Sequence, residues 1–402
     1  MKSIFTLLAF LTVAASTHAM GAPARYVAAQ TAALATVKAR LDAGDPALQP
    51  ALAALVTSAD KALRVTPPSV TEKSKPAPDG DPHAYASTAP YFWPDPTKPD
   101  GLPYVARDGQ VNPESRTAAS DLRRVELMSR TVETLAFAYF FTGKQTYAQH
   151  AARVLRVWFL DPATLMRPHL NFGQGVPGKN TGRAIGIIEG GNLVAAADAA
   201  GLLDGSAAWS PADRTALHRW MSDYLTWLLT SPLGEQEREM KQNHGTLYDV
   251  QVMRLALILG RTDLAREVAE TAKLKRIAVQ IEPDGRQPLE LARTKAFSYS
   301  RLNLRGLTAL ATMAESVGVD LWRFETADGR SLRKAIDFLA PYVQTPPGKW
   351  PYQQIVAFDR AELAPIFRQA ATVYGEPAYE KVVASLPQVD RAFFQLIHPR
   401  SN

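Results

Sequence analysis

Apolar residues recur at steps of three and four along most of this chain, and the recurrence comes in pairs. Leu122, Val125, Met128, Val132, Leu135 and Tyr139 share one face of a helix over 122–140. "TGK" follows, with Gly143 where a left-handed C-terminal cap belongs, and then a second helix, "QTYAQHAARVLRVWFL". The layout repeats at "VQVMRLALILGRTDLAREVAETAKL", with Gly260 at the turn. "SPADRTALHRWMSDYLTWLL" opens on Ser210 as a cap with Pro211 in the first turn. Further helical patterns cover roughly 24–42, 48–64, 182–201, 288–316, 331–343 and 359–386, and no alternating strand pattern separates them. Paired helices joined by short turns predict an all-α fold, an incomplete α/α toroid or a solenoid, although no strict sequence period exists. Residues 66–117 interrupt the pattern with prolines and aromatics. Such a long loop inside a compact domain is functional or disordered, and the aromatics argue against disorder.

Several classes of protein drop out. The start, "MKSIFTLLAFLTVAASTHAMG", has a positive residue, a short apolar stretch and small residues ending at Ala19. Residues 1–19 read as a secretory signal, which makes 20–402 one mature domain, periplasmic or secreted. No later segment is read as a membrane span. The chain lacks cysteine, so disulfides and thiolate chemistry are excluded. Its net charge of +6 is spread out, without the basic block of a nucleic-acid arm. "GQGVPGKNTGR" approaches a phosphate-loop spacing, but Asn180 stands where the magnesium-binding hydroxyl belongs and no strand precedes it. The seven histidines are scattered, so no metal site and no cofactor are expected. Nothing indicates an oligomeric state.

Two stretches carry chemistry. In "KQNHGTLYD", Asn243, His244 and Gly245 precede a strongly apolar helix, where a plain cap would start it at lower cost. In "PDGRQPLELARTKAFSYSRLNL", Arg293, Lys295, Tyr299 and Arg301 crowd together within about two helical turns. Together they meet the needs of β-elimination on a uronic-acid polymer. The C5 proton must leave from beside a carboxylate whose charge opposes a carbanion, so that carboxylate must be neutralised. Asn243 and Arg293 are candidates for that role; His244 and Tyr299 are the candidate base and acid, alone or in division. A neighbouring cation is expected to make Tyr299 easier to ionise. A helix start also favours an anionic ligand through its dipole, and Gly245 is expected to let substrate approach the backbone. Tyr248 and Asp249 are candidates to orient His244, with Tyr248 near the substrate. Acid pairs for glycoside hydrolysis can be drawn from Glu189, Glu282, Asp284 and Glu290, but for each a surface or salt-bridge role is expected.

From about residue 80 to 350 the chain resembles the alginate-lyase superfamily of helical-toroid polysaccharide lyases, in its glucuronan and alginate lyase branch. The resemblance rests on "YFWPDPTKPDGLPYVARDGQVNPE", "GQGVPGKNTGRAIGIIE", "NHGTLYDVQ", "DGRQPLELARTKAFSYS" and "WPYQQI", in that order. It implies a catalytic Asn-His pair at a helix start, matching Asn243 and His244, and a later arginine and tyrosine, matching Arg293 and Tyr299. Periplasmic alginate lyases of this superfamily space those last two seven apart, with histidine following. Here the spacing is six and Ser300 follows, which favours the glucuronan-like branch. The implied partner is an acidic β-1,4-linked polyuronate, glucuronan or mannuronate-rich alginate. Gln174 and Arg183 are candidate substrate contacts, and Tyr85, Tyr91, Trp93 and Trp350 are candidates to line subsites or to pack the core. Two rival readings are a glycoside hydrolase on a similar toroid and a non-catalytic acidic-glycan-binding protein.

Overall fold

The computed structural model describes residues 25–29, 31–343, 349–386, 389 and 393–400; the expected signal segment, 1–19, lies outside them. Helices dominate: α1 (Thr31–Asp42), α2 (Gln49–Ala62), α3 (Leu122–Thr142), α4 (Gln145–Phe159), α5 (Gly191–Ala199), α6 (Pro211–Thr230), α7 (Pro232–Arg238) and α8 (Asn243–Ile258). There follow α9 (Thr262–Ala272), α10 (Ala278–Gln280), α11 (Pro288–Leu291), α12 (Ala296–Glu315), α13 (Leu332–Val343), α14 (Ala364–Tyr374), α15 (Pro377–Ala384) and α16 (Phe394–Ile397). The fold is the expected all-α toroid. The paired layout forms as the spacing predicts. Gly143 ends α3 at φ 71° and Gly260 follows α8 at φ 73°, a conformation that a Cβ would strain. Ser210 and Asp213 form a reciprocal capping box at the start of α6, with Pro211 in its first turn.

Two hydrophobic cores meet at α8. Tyr248, Val252 and Leu255 pack into the first, with α3, α4 and α6. Met253, Ala256 and Leu257 pack into the second, with α9, α12 and α13. An amphipathic helix buries one stripe; α8 buries two, which is why "VQVMRLALI" is apolar nearly all round.

Two sequence expectations need correction, on strands and on membrane-spanning length, while 66–117 is ordered as its aromatics imply. Four short strands exist: β1 (Ala86–Thr88) pairs in parallel with β4 (Phe172–Gly175), and β2 (Phe92–Trp93) pairs antiparallel with β3 (Val105–Ala106). At two to four residues each they are too short to show an alternating pattern. Residues 66–117 are an ordered wall built on those strands and pinned by a buried Lys73–Asp121 ion pair at 3.4 Å. Finally, Ala184–Leu203 is long and apolar enough to cross a membrane, yet 67 % of its most apolar window is buried inside the protein. It runs as a 3-10 turn, α5 and a second 3-10 turn, and is a core element.

Candidate active site

The site begins at the corner between α7 and α8. Ser231 caps α7, whose Glu237 is fully buried, and Gln242 caps α8 by accepting the His244 N–H at 2.7 Å. His244 Nδ1 lies 2.7 Å from Glu237 Oε1. An ionised carboxylate only accepts, so against ionised Glu237 the proton of a neutral imidazole sits on Nδ1 and the lone pair on Nε2. Burial raises the Glu237 pKa, and His244 opposes the rise. Glu290 occupies the helix start: its two oxygens accept from Asn243 N at 2.7 Å and Asn243 Nδ2 at 2.8 Å. The dipole is therefore met by a carboxylate of the chain itself. Asn243 is fully buried with its Nδ2 engaged by Glu290, so it is a framework residue and not the free donor expected for substrate.

Gly245 serves the same corner. A Cβ there would stand 2.1 Å from Met240 O and 2.7 Å from Arg276 Nη1. The glycine is needed for this close packing, not for substrate approach. Arg276 projects from a π-helical turn, Lys273–Ile277, and donates to Arg238 O, Met240 O and both oxygens of Asp249. Asp249 thus holds Arg276 and does not orient His244. Tyr248 is also corrected: it is 2 % exposed, and its hydroxyl donates to Leu228 O at 2.9 Å, away from any substrate.

The opposite wall is the start of α12. Arg293 Nη2 donates to Tyr299 Oη at 2.8 Å, and its guanidinium carbon stands 3.9 Å from the Tyr299 ring centroid. Tyr299 Oη donates onward to Tyr91 Oη at 3.0 Å. Arg293 is not a free fork, however. Its Nε and Nη2 grip Asp108 on the 66–117 wall, the shorter contact at 2.5 Å. Arg293 holds Asp108 down to a pKa of about 2. Burial pushes the Tyr299 hydroxyl well above the ordinary phenol range, the Tyr91 hydrogen bond adds to this, and Arg293 pulls the other way without prevailing. Arg293 eases ionisation as expected of a neighbouring cation, but desolvation outweighs it and the net shift is upward. Glu290, three residues before Arg293, bonds Asn243 beside His244 and so ties the two walls together.

A third wall comes from β4 and the loop after it. Gln174 takes φ 51°, a strained choice for a residue with a Cβ. Ser87 Oγ accepts its N–H at 2.8 Å, and Ser87 Oγ and Tyr85 Oη in turn donate to Glu189 Oε2 at 2.5 and 2.8 Å. Burial raises Glu189 to about 7, against the pull of those hydrogen bonds. Arg183 donates to Gln174 O at 3.0 Å and to Gln174 Oε1 at 2.9 Å, and lies 4.8 Å from the Phe92 ring. It is thus held by neutral groups; burial lowers its pKa, and Glu189 and Glu237 offset only part of that.

Tyr85 is fully buried, so it is a support for Glu189 and not a subsite ring. Trp350 is packed by Phe297 at 5.2 Å and Tyr342 at 4.9 Å, a satellite of the second core. Trp93 stays half-buried, its Nε1 donating to Gln110 O at 3.0 Å. Glu282 and Asp284 make surface ion pairs, with Arg330 and Arg286, as expected; Glu189 and Glu290 are buried instead. Glu237 and Asp108 escaped the sequence reading. Neither carries a local signal, since each finds its partner only through the tertiary fold.

The alginate lyase family model matches residues 69–350, a span that includes all three walls. The chain belongs to the alginate lyase family. An alginate lyase structure from Bacteroides ovatus is 41 % identical, with 93 % of this chain and 99 % of that one covered, at a TM-score of 0.89. Alginate lyase A1-III from Sphingomonas species A1 is 18 % identical over 94 % of this chain and 97 % of its own, at 0.59, a likeness of fold alone. A variant of A1-III complexed with a tetrasaccharide is also 18 % identical, covering 94 % and 96 %, at 0.62. No curated protein sequence matches the chain. The enzyme is a polysaccharide lyase, which sets aside the hydrolase and the non-catalytic binder.

Proposed function

We propose that this lyase cleaves a β-1,4-linked polyuronate, mannuronate-rich alginate or glucuronan, by β-elimination. One hydrogen bond on each wall supports the reading, His244 Nδ1 with Glu237 and the Tyr299 hydroxyl with Arg293. His244 has Nδ1 tied to Glu237, which frees Nε2 to accept a proton. Tyr299 is kept protonated by burial, with Arg293 ready to receive a phenolate. Nε2 takes the C5 proton, the electron pair forms the C4=C5 bond, the C4–O4 bond breaks, and O4 takes the Tyr299 proton. The imidazolium then returns its proton to the phenolate. In these sugars the C5 proton and O4 leave from the same side, so neighbouring groups suffice.

The substrate carboxylate falls to Arg183, whose hydrogen bonds to Gln174 leave its charge without a bonded carboxylate. Arg293 already faces Asp108. The six-residue spacing from Arg293 to Tyr299, with Ser300 next, supports glucuronan over mannuronate. Export guided by residues 1–19 belongs to the same reading.

A panel of polyuronates screened for new ultraviolet absorbance tests the proposal, because only elimination leaves the C4=C5 bond. New reducing ends without absorbance would sink it. Arg183→Gln is expected to lower kcat/KM by roughly a hundredfold to a thousandfold, the range for losing one charge-stabilising donor. A near wild-type value would place carboxylate neutralisation elsewhere.

A further inference from the structure

Tyr91, Phe92 and Trp93 are consecutive, and each ring carries a cation. Lys295 Nζ lies 5.3 Å from the Tyr91 centroid, Lys179 Nζ 5.8 Å from Phe92, and the Arg107 guanidinium 5.2 Å from Trp93. Arg107 is fixed opposite the same strip, its N–H donating to Tyr91 O at 2.8 Å. None of the three makes an ion pair among the described residues, whereas much of the remaining positive charge does, as in Arg156–Asp213 and Arg167–Asp81. The acids nearby in sequence are turned elsewhere. Asp95 accepts from Thr97, Asp100 from Leu102 N, Glu114 from the Tyr104 hydroxyl, and Asp108 holds Arg293. A ring contact at an exposed site is worth only about 0.5–1 kcal/mol, so it places a cation without neutralising it. The strip starts at the reaction centre, because Tyr91 Oη accepts from Tyr299.

We propose that Lys295, Lys179 and Arg107 form a polyanion track that takes carboxylates of the uronate units flanking the one being cleaved. This rests on the polyuronate reading above. The track favours long polymer over short oligomers and makes the Michaelis constant depend on salt, since each phosphate-like contact to a polyanion releases counterions. Lys179 and Arg107 are exposed and lie outside the proton-transfer set.

The test is the double variant Arg107→Gln/Lys179→Gln, with Lys295 left intact because its ring partner touches Tyr299. Double-bond formation is followed on polyuronate and on a trimer over a series of sodium chloride concentrations, with thermal melting as a check on folding. The expected result is a KM for polymer raised about tenfold at low salt and a log KM against log salt slope reduced by about 1–2, from roughly 0.7–0.9 per lost contact. The kcat on polymer and the kinetics on trimer stay within about twofold. An unchanged KM and slope would overturn the track, and so would equal losses on trimer and polymer. Wild-type inactivity on every polyuronate would count against the function instead. The track is then read from polymer binding by wild type and variant, where equal affinity and equal salt dependence overturn it.

Discussion

Tyr299 and Glu189 show how burial sets the state of a single group. Tyr299→Phe keeps the ring packed beside Arg293 and deletes the hydroxyl between Arg293 and Tyr91. A tyrosine that only held structure would lose about 1–3 kcal/mol of hydrogen bonding. A proton donor to O4 should slow turnover by roughly a hundredfold to ten-thousandfold while polymer binding and circular dichroism persist. Nearly wild-type turnover in a folded, binding variant would remove Tyr299 from the reaction. Glu189 makes a prediction about pH. Its folded pKa of about 7 stands above the 4.5 of an ordinary glutamate, so the folded chain holds a proton that the unfolded chain releases between those values. Stability from this group is full below about pH 4.5 and declines as pH rises to about 7, by about 3 kcal/mol. Glu189→Gln, unfolded chemically at a series of pH values, should lose that component. An unchanged slope through this window would show that Glu189 is ionised throughout.

At the level of elements, the helices were legible because their period is written in apolar side chains, and the α3–α4 and α8–α9 turns carried their glycines. The start of α8 was legible too, from a polar cluster where an ordinary cap was absent. Its purpose was not. "NHG" does not reveal that Glu290 completes the helix start, that Glu237 tethers the imidazole, or that Met240 and Arg276 close on Gly245. Those partners come from α7, the π-helical turn and α11, and side-chain chemistry across 7 to 47 residues leaves no periodic mark. Tyr248 misled for a related reason: a tyrosine one turn from a histidine looks shared in sequence, yet it faces α6. Gly245→Ala isolates the corner. Helix propensity alone favours alanine by about 1 kcal/mol. The backbone carbonyl of Met240, 2.1 Å from the new methyl, must move and take the α7–α8 turn with it. The expected outcome is a net loss of stability in denaturant titration together with a lower kcat. A stabilised variant with wild-type kcat would show that the turn yields freely and does not position His244.

Across the whole molecule the proposed reaction centre lies at the seam between two cores, with α8 as their shared wall. His244 comes from that shared helix, Arg183 from the loop after β4, and Tyr299 from α12. The 66–117 wall reaches across the seam through Asp108, which holds Arg293 and Thr294, and through Tyr91, which meets Tyr299; the Arg293 and Tyr299 contacts span 185 and 208 residues of sequence. Asp108→Asn tests whether this clasp aligns the halves. Asparagine keeps one acceptor and removes the charge that Arg293 grips. The pair is about a third exposed, 29 % at Arg293 and 36 % at Asp108, so the loss should be about 1–3 kcal/mol and not the larger cost of breaking a dry ion pair. Its functional effect should exceed its effect on global stability, because Arg293 then shifts and Tyr299 loses the donor that receives its phenolate. Limited proteolysis should cut faster within 94–112, kcat should fall at least tenfold, and the melting temperature should change little. If cleavage within 94–112 and kcat both match wild type, the wall is held by its other contacts, the β1–β4 pairing and the Lys73–Asp121 pair among them, and the Asp108–Arg293 pair has no part in aligning the site.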